Sequence, residues 1–538
     1  MKDAMKLEDL TPFRNEPFTD FSTAENQRAM QEALSVARSA LGQSYDLYIG
    51  GCPERTAKKF HSVNPARPAE IVGTHFEAGP EEAQAAIDAA QIAFATWKHN
   101  TVADRAGLLL KAAALIRKRH LDFCAWLTLE VGKNFAEADA DVGECIDFLE
   151  FYAREALKLD AASTPIQFPG ERNLLRYVPL GVGAVIPPWN FPFAIMAGMT
   201  CAAIVTGNTV VLKPSPDAPT IAARFVELMI EAGLPDGVIN LVQGGPEVGR
   251  AITENAAIRF IAFTGSKKVG LEIHANAAKT LPGQRFIRRT ILELGGKDAI
   301  IVEADCDIDS AVEGVAASAF GFSGQKCSAC SRVIVEDSIY DAFCDRLAER
   351  VSKFVIGDPA ENAYIGPVIN EVAKKRVLDY IEIGKIEGRV IAGGNAVDLN
   401  GGYFIQPTVL ADIAPTSRVA QEEVFGPLLA VIRSKGFDDA LAIANDTEYG
   451  LTGALYTGSR EKLTRAREEF HVGNLYFNRK CTGAMVGAHP FGGFNLSGTD
   501  SKAGGPDYLL LFTQAKSVAE KTGIVSDKDE EQEQRMGL

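Results

Sequence analysis

Residues 321–332, with the sequence GFSGQKCSACSR, place the thiol of Cys327 in a loop of small residues beside Lys326. An exposed backbone and a nearby cation lower the pKa of a cysteine thiol and favour the thiolate, which is the nucleophilic form. A cysteine that only packs a core is more often found within an apolar periodic run. We therefore interpret Cys327 as a candidate catalytic nucleophile.

A second reactive group is the carboxyl of Glu293, which lies between Leu292 and Leu294 and precedes two glycines. Apolar neighbours raise the pKa of a carboxyl group. A raised pKa suits a general base that works near neutral pH. The alternative is a glutamate on a solvated strand edge, and these residues alone leave both interpretations open.

Three further polar side chains follow predicted strands, at the sheet edge where ligands bind in open α/β folds. Asn190, within Pro-Pro-Trp-Asn-Phe-Pro, offers an amide donor. Lys213 ends a strand and could bind ribose hydroxyls, while Ser266 opens a helix whose N–H groups can face a pyrophosphate. The simpler alternatives are a turn residue, a solvated lysine and a helix N-cap.

The composition is that of a globular protein, with 46% hydrophobic and 23% charged residues among 538. A net charge of −15 disfavours nucleic acid and anionic membranes as partners. The nine cysteines follow no framework spacing and the N-terminus has no apolar signal-peptide core, so we expect a cytoplasmic protein. The apolar stretch 193–212 is long enough for a membrane span, but its polar residues favour a helix at 194–205 followed by a strand at 209–213.

The elements that must position these groups change in character near residue 180. Upstream, apolar residues recur at helical spacing. Downstream, short strands alternate with helices, which predicts the α/β class with parallel doubly wound sheets. The upstream helices are predicted at 23–41, 80–97, 103–119 and 121–131. The strands are predicted at 182–186, 209–213, 238–242 and 259–263, with a second series from about Ile291 through 333–335, 390–391 and 428–431.

These segments, in this order, resemble the aldehyde dehydrogenase superfamily over most of the chain. The matching segments are Asn190, Lys213, 263–266, 293–297, 324–327, 423–427 and 490–494 followed by Ser497-Gly498. The resemblance implies an enzyme that oxidises an aldehyde with a nicotinamide cofactor. It assigns Cys327 as nucleophile, Glu293 as general base and Asn190 as a donor to the oxyanion.

The same resemblance implies two doubly wound α/β domains and a small β arm for homo-oligomerisation, as a dimer or a dimer-based hexamer. We expect 164–177 to form an exposed hairpin with its turn at Pro169-Gly170, and a plain surface hairpin is the alternative to an intersubunit arm. The predicted divisions are an N-terminal helical cap at 1–50, an NAD-binding domain at 51–160 and 180–297, a catalytic domain at 298–495, the arm at 161–179 and 496–525, and a mobile tail at 526–538.

Cofactor contacts are also implied by the resemblance. Lys213 and Glu423 would hold ribose hydroxyls, Ser266 would contact the pyrophosphate, and Phe425 would pack near the nicotinamide ribose. Many NAD-preferring members carry an acidic residue where this chain has Pro216, and here an aspartate follows one position later, at Asp217, so NADP remains an alternative to NAD. The full predicted set is Ile186, Pro187, Pro188, Trp189, Lys213, Ser215, Gly245, Gly249, Phe263, Thr264, Gly265, Ser266, Leu294, Gly295, Glu423 and Phe425.

Within the superfamily, segments 12–17, 324–332 and 478–506 resemble the 1-pyrroline-5-carboxylate dehydrogenases. These enzymes oxidise L-glutamate γ-semialdehyde to L-glutamate in proline degradation. The alternative is another ω-semialdehyde dehydrogenase, such as one for succinic semialdehyde. The chain has no room for a proline dehydrogenase barrel, so we expect a functional link to a separate enzyme of that kind.

The narrower resemblance implies a substrate site. The Ser328 hydroxyl and the backbone N–H groups of Gly483 and Ala484 would hold the substrate carboxylate, since glycine permits close approach and successive N–H groups bind anions. Phe191 and Phe491 would enclose the aliphatic chain.

Cys330 forms a Cys-x-x-Cys pair with Cys327. The seven histidines show no ligand spacing that would complete a zinc site, and a disulfide would block the nucleophile. We therefore predict no metal site and treat Cys330 as a bystander.

Overall fold

A computed structural model describes residues 5–160 and 165–522 of the chain. The predicted tail at 526–538 lies outside the described residues. So do residues 161–164 and 523–525 of the predicted arm.

The first large sheet has seven strands, and five of them are parallel, as predicted from the strand–helix alternation. Residue pairing aligns Phe263 with Ile186 and Thr264 with Glu293, so these strands end at the same edge. That edge is where an open α/β sheet binds ligands. In sheet order the strands are Arg289–Glu293, Phe260–Thr264, Val182–Ile186, Thr209–Leu212, Ile239–Leu241, Leu47–Ile49 and Cys52–Glu54.

The second large sheet also has seven strands, which are parallel except for one edge strand that runs antiparallel. Its strands are Arg389–Ala392, Thr408–Ala411, Leu428–Ser434, Cys330–Glu336, Asp298–Val302, Thr452–Tyr456 and Asn474–Phe477. The prediction that this series begins near Ile291 is wrong, because the strand with Ile291 pairs with Phe260–Thr264 of the first sheet. Periodicity identifies a strand but does not identify the sheet that it joins.

A third sheet orders Gln43–Tyr45, Arg67–Phe76 and Lys59–Asn64, and two short pairs join Ala396–Val397 to Phe404–Ile405 and Tyr449–Gly450 to Phe494–Asn495. The predicted helical cap therefore differs from the structure. Only Ala24–Ser39 is a long helix there, while Leu47–Ile49 extends the first large sheet.

The predicted hairpin at 164–177 is wrong in its pairing, and Thr164 lies outside the described residues. The turn at Pro169-Gly170 is present, and Gly170 has a φ of 82° that suits glycine. The strand that follows, Glu171–Pro179, pairs antiparallel with Thr513–Lys521 near the C-terminus. A partner this distant in sequence leaves no local pattern.

The helices cover both sheets. The predicted helices at 80–97 and 194–205 match the structure at both ends. The α-helices are Ala24–Ser39, Pro80–Trp97, Val102–Lys118, His120–Val131, Phe135–Asp160, Ala194–Val205, Pro219–Ala232, Pro246–Thr253, Lys267–Ala277, Ile308–Phe320, Tyr340–Ser352, Glu371–Glu387, Arg418–Gln421, Phe437–Asn445 and Arg460–Glu469. Short 3₁₀ turns span Leu7–Asp9, Gly321–Gly324, Asp337–Ile339, Pro359–Glu361 and Tyr508–Phe512.

The apolar stretch at 193–212 forms the buried helix Ala194–Val205 and the strand Thr209–Leu212. Among the described residues, no helix combines the length and the apolar character needed to cross a membrane.

Candidate active site

A cavity of about 480 Å³ opens at the carboxyl edge of the first sheet. Every residue in the predicted cofactor set lines it, together with Asn190 and Cys327. Its walls come from the ends of neighbouring parallel strands, whose register brings 186, 213, 264 and 293 to one edge. The cavity therefore brings together residues that are up to 239 positions apart in the sequence, between 186 and 425.

Lys213 is buried in the wall of this cavity, so the solvated-lysine alternative is wrong. Its ammonium donates to the Pro214 carbonyl oxygen at 3.1 Å. Burial lowers the pKa of Lys213 to about 8. Ser266 is the N-cap of Lys267–Ala277, where its hydroxyl accepts from the Val269 N–H at 3.4 Å, and it also lines the cavity.

Glycines make room for the carboxylate of Glu423. This carboxylate accepts from the Gly296 N–H at 3.1 Å. A Cβ at Gly295 would lie 2.3 Å from a Glu423 oxygen, closer than any side chain tolerates. Phe425 holds a left-handed φ of 56°, which is strained for a residue with a bulky side chain, and its ring packs edge-on against Trp189 at 5.6 Å.

A second cavity, of about 370 Å³, meets the first at Cys327. All five predicted substrate residues line it: Phe191, Ser328, Gly483, Ala484 and Phe491. Glu293 lines it as well. Cys327 therefore stands where the two cavities join.

The loop before the nucleophile is held in an uncommon conformation. Phe322, Ser323 and Gly324 have φ values of 51°, 53° and 68°, in the left-handed region. A Cβ at Gly324 would lie 2.3 Å from the Gly426 carbonyl oxygen, so glycine is required there. Strain of this kind persists where the surrounding packing fixes it, and here it points Cys327 toward the cavity junction.

The expectation that Lys326 lowers the pKa of Cys327 is wrong. The Lys326 ammonium pairs with Glu137 at 2.7 Å. Burial, together with the carboxyl groups of Asp298, Glu293 and Glu423, raises the pKa of Cys327 above its ordinary value. The thiol is therefore protonated near neutral pH until a base or a bound cation changes its surroundings.

Asn190 is buried and contacts the nucleophile loop rather than its own backbone. Its amide donates to the Gln325 carbonyl oxygen at 3.1 Å. An amide nitrogen carries two hydrogens, so one remains to be donated into the cavity.

The prediction of a raised pKa for Glu293 is confirmed. Burial raises the pKa of Glu293 to about 8, and the Ser501 hydroxyl, which donates to Oε1, opposes that increase. Oε2 has no hydrogen-bond partner among the residues that the structure describes. Among these residues, one oxygen of the Glu293 carboxyl group is therefore hydrogen-bonded and the other is not.

The long helix Phe135–Asp160, which the sequence reasoning missed, supplies further charged groups. Glu137 and Glu144 line the second cavity, and burial raises the pKa of Glu144 to about 8. Buried Asp141 pairs with buried Lys133 at 2.9 Å, and the Lys133 ammonium lies 3.7 Å from the centre of the Phe191 ring. One sequence pattern could have pointed to these residues. Glu137 and Glu144 lie seven positions apart in a helix that is mostly buried.

The structure also shows the surroundings of Pro216, Asp217 and Cys330. Pro216 lines the first cavity, whereas Asp217 accepts from the Asn370 amide at 3.0 Å. Cys330 is buried, with its thiol 3.3 Å from the Arg332 carbonyl oxygen.

One group of potential metal ligands was not predicted. Among the residues that the structure describes, His120, Cys124 and Asp139 form the group whose ligand atoms lie within 4.8 Å of one another. His120 and Asp139 already form a hydrogen bond of 2.7 Å.

Comparison with known proteins agrees with this arrangement. A sequence model of the aldehyde dehydrogenase family matches residues 53–518. The chain is 53% identical over 511 residues to the 1-pyrroline-5-carboxylate dehydrogenase of Geobacillus thermodenitrificans, covering 95% of this chain and 99% of that protein. It is 52% identical to the 1-pyrroline-5-carboxylate dehydrogenase from Thermus with bound NAD, with a TM-score of 0.94 and coverage of 95% and 99%.

A longer protein also matches. Proline utilization A (PutA) from Bdellovibrio bacteriovorus is 45% identical with a TM-score of 0.93, and the match covers 95% of this chain but 53% of that chain.

Proposed function

The chain belongs to the aldehyde dehydrogenase family, and on that premise we propose that it oxidises L-glutamate γ-semialdehyde to L-glutamate with NAD. One observation carries the proposal. The thiol of Cys327 stands at the junction of two cavities, one lined by the cofactor set and the other by the substrate set. High identity to enzymes named for this reaction supports the choice of substrate.

The first cavity fits a dinucleotide. The N-terminus of Lys267–Ala277 offers free N–H groups beside Ser266, which suit a pyrophosphate. Lys213 is buried and Glu423 half-buried in its wall, and both are suited to ribose hydroxyls.

Bound NAD supplies the hydride acceptor for the reaction. The groups of this chain supply the covalent chemistry and the positioning. With the cationic cofactor bound, the Cys327 thiol would lose its proton to water in the cavity. The thiolate attacks the aldehyde carbon, and the oxyanion that forms takes hydrogen bonds from the Asn190 amide and the Cys327 backbone N–H. One such donor typically stabilises the transition state by about 2.7–4 kcal/mol.

Loss of hydride from this adduct leaves a thioester on Cys327. Glu293 lines this cavity, and its Oε2 has no hydrogen-bond partner among the described residues; it accepts a proton from the water that attacks the thioester. The Cys327 sulfur then leaves as thiolate and the carboxylate product departs. This role requires the ionised form of Glu293. Because its pKa is raised to about 8, the carboxyl group gains and loses its proton close to neutral pH.

The second cavity suits an acidic substrate despite the net charge of the chain. The Ser328 hydroxyl and the N–H groups of Gly483 and Ala484 would hold the carboxylate. Gly483 has a φ of 76°, a conformation that glycine adopts freely. Phe191 and Phe491 would then enclose the aliphatic carbons.

The proposal also covers the cofactor, the domain organisation and a partner enzyme. NAD is the cofactor, and Pro216, which lines the cavity and carries no negative charge to repel a 2′-phosphate, allows NADP as a second cofactor. We propose the predicted NAD-binding and catalytic domains, with an N-terminal cap that is only partly helical, and an arm built from Glu171–Pro179 and Thr513–Lys521 as an oligomerisation element. The match to proline utilization A supports a functional link to a proline dehydrogenase. All nine cysteines are free thiols, in agreement with a reducing compartment.

The test is a steady-state comparison of glutamate, succinic and short aliphatic semialdehydes, each with NAD and with NADP. We expect the highest kcat/KM for glutamate γ-semialdehyde, and no reduced nicotinamide from Cys327→Ala. Cys344→Ala is the matched control, because that buried cysteine lines neither cavity. Preference for succinic semialdehyde would overturn the substrate assignment, and normal turnover by Cys327→Ala would overturn the mechanism.

A further inference from the structure

The base Glu293 is held on one side only. The Ser501 hydroxyl donates to its Oε1, and the Ser501 backbone N–H also favours the carboxylate. Oε2 has no partner among the residues described, and the Glu293 side chain lines the cavity that contains Cys327. Ser501 itself is buried, with 4% of its surface exposed, so water does not compete freely for this contact.

The backbone around Ser501 is fixed by contacts on both sides. Toward the base, Gly498 bridges to Glu293 and the Thr499 N–H donates to the Leu292 carbonyl oxygen at 2.9 Å. Toward the substrate cavity, Ala503 and Phe491 exchange two backbone hydrogen bonds of 2.7 and 2.8 Å. The short segment between these two anchors therefore has little freedom.

Unfavourable backbone angles flank Ser501. Asp500 and Lys502 have φ values of 51° and 53°, in the left-handed region that L-residues avoid. Lys502 is held there by its ammonium, which donates to the carbonyl oxygens of Gly473 and Gly492, each at 2.8 Å. Strain of this kind concentrates where geometry serves function, and it turns Ser501 toward the base.

Gly492 leaves the space that this contact needs. A Cβ at Gly492 would lie 2.7 Å from the Lys502 nitrogen, 3.0 Å from the Ser501 nitrogen and 3.1 Å from Oε1 of Glu293. A side chain there would separate the base from the serine.

We propose that Ser501 is the positioning residue of the base: its hydroxyl holds Oε1 of Glu293 and so keeps Oε2 directed at the acyl group on Cys327. This inference rests on the proposed function. Ser501 touches neither the substrate nor the reacting atoms; it acts through Glu293. Because it donates to the carboxylate, it also favours the ionised base.

Other groups act on Glu293 from the elements packed around it. Lys502 favours the carboxylate and Asp500 disfavours it, and the Cys327 thiol and the Tyr508 hydroxyl interact with it as well. None of these is changed by a substitution at Ser501, so its contribution can be isolated.

The test follows hydrolysis of the acyl-enzyme in Ser501→Ala. Enzyme, NAD and glutamate γ-semialdehyde are mixed and quenched with acid at set times, and intact mass gives the acylated fraction. We expect acyl-enzyme formation within about twofold of wild type, hydrolysis slowed about tenfold as for the loss of one hydrogen bond, and the acid limb of the hydrolysis rate moved to higher pH. Ser501→Thr, which keeps the hydroxyl, should restore both.

Ser338→Ala is the matched control, since it also removes a serine hydroxyl that donates to a glutamate carboxylate, that of Glu336, and neither residue lines a cavity of the site. It should leave the pH profile unchanged. Ser501→Cys, close in shape but a weak donor, carries the test if the alanine variant does not fold.

Hydrolysis within twofold of wild type at every pH in Ser501→Ala and Ser501→Cys would overturn the inference. Equal loss of acyl-enzyme formation and hydrolysis with an unmoved pH limb would overturn it too, since that outcome indicates a structural role. Failure of the wild-type enzyme to acylate at all would instead reject the proposed function.

Discussion

Raising the pH from 7 to 9 should accelerate hydrolysis of the Cys327 thioester about tenfold. Burial raises the pKa of Glu293 to about 8, and only the ionised carboxylate can take a proton from the attacking water. With that pKa, the ionised fraction is about one tenth at pH 7, one half at pH 8 and nine tenths at pH 9. The rate should follow this fraction.

The direction of the effect distinguishes a buried base from an exposed one. A glutamate with an ordinary pKa is fully ionised at pH 7, so its hydrolysis rate would not change between pH 7 and 9. The measurement is the decay of acyl-enzyme in single turnover, by acid quench and intact mass, across that range. Formation of reduced nicotinamide in the same mixtures controls for changes in acylation.

Glu293→Gln is the companion variant, because the amide keeps the shape of the side chain and cannot accept the proton. We expect its hydrolysis to be slower by about 10²–10⁴-fold, the usual contribution of general base catalysis, and to lose the sigmoidal pH dependence. A wild-type hydrolysis rate that does not change from pH 7 to 9 would show that burial does not raise the pKa of Glu293. A Glu293→Gln rate close to wild type would refute the assignment of the base.

The raised pKa also has a consequence for stability. Because the pKa of Glu293 is raised in the folded state, its contribution favours folding below the unfolded pKa of about 4.5 and is lost as pH rises through about 8. Glu293→Gln should therefore unfold at a higher temperature than wild type at pH 9, with a smaller difference at pH 5. A difference that does not grow with pH would contradict the burial of this charge.

Three other substitutions test separate parts of the site. Asn190→Ala should lower kcat about 10²–10³-fold with little change in KM, because it removes a donor to the oxyanion. Ser328→Ala should lower kcat/KM for glutamate γ-semialdehyde by about 10–100-fold, since a hydrogen bond to a charged group contributes about 1.5–3 kcal/mol, and leave butanal oxidation within twofold. Lys133→Met should destabilise the fold by about 3–5 kcal/mol, measured by thermal unfolding, because it strands the buried Asp141 carboxylate.

Each of these has a contrary outcome. A change in KM alone for Asn190→Ala would indicate ground-state binding. Equal losses for both aldehydes in Ser328→Ala would remove its role in carboxylate recognition. For Lys133→Met, adding Asp141→Leu should recover much of the lost stability, and no recovery would show that the loss arises from packing.

Some of the fold was accessible from the sequence because local patterns determine it. The helix Ala194–Val205 and the strand Val182–Ile186 are bounded as predicted, since apolar runs between turn residues are local features. The raised pKa of Glu293 also followed from adjacent leucines. In contrast, the partner of Glu171–Pro179 lies more than 300 positions away at Thr513–Lys521, and no local pattern encodes such a pairing.

The residues predicted to bind the cofactor and the substrate line the two cavities, but the predicted electrostatics of Cys327 were wrong. Sequence adjacency suggested that Lys326 activates Cys327, whereas the folded chain turns that ammonium to Glu137 on the helix Phe135–Asp160. Neighbours in the sequence of a loop point in different directions, so their charges need not act on each other. The contact of Ser501 with Glu293 depends on the same long-range packing.

Intact mass spectrometry of Glu293→Gln can show whether Cys327 carries the acyl group and whether Glu293 is needed to hydrolyse it. After reaction with NAD and L-glutamate γ-semialdehyde, one glutamyl group should remain on each subunit, localised to Cys327 by peptide mapping, with one equivalent of reduced nicotinamide formed. The same treatment of Cys327→Ala should give no adduct. Two results would contradict the assignment of Cys327 as nucleophile and Glu293 as base. One is continued turnover by Glu293→Gln without an adduct, and the other is an adduct on another residue.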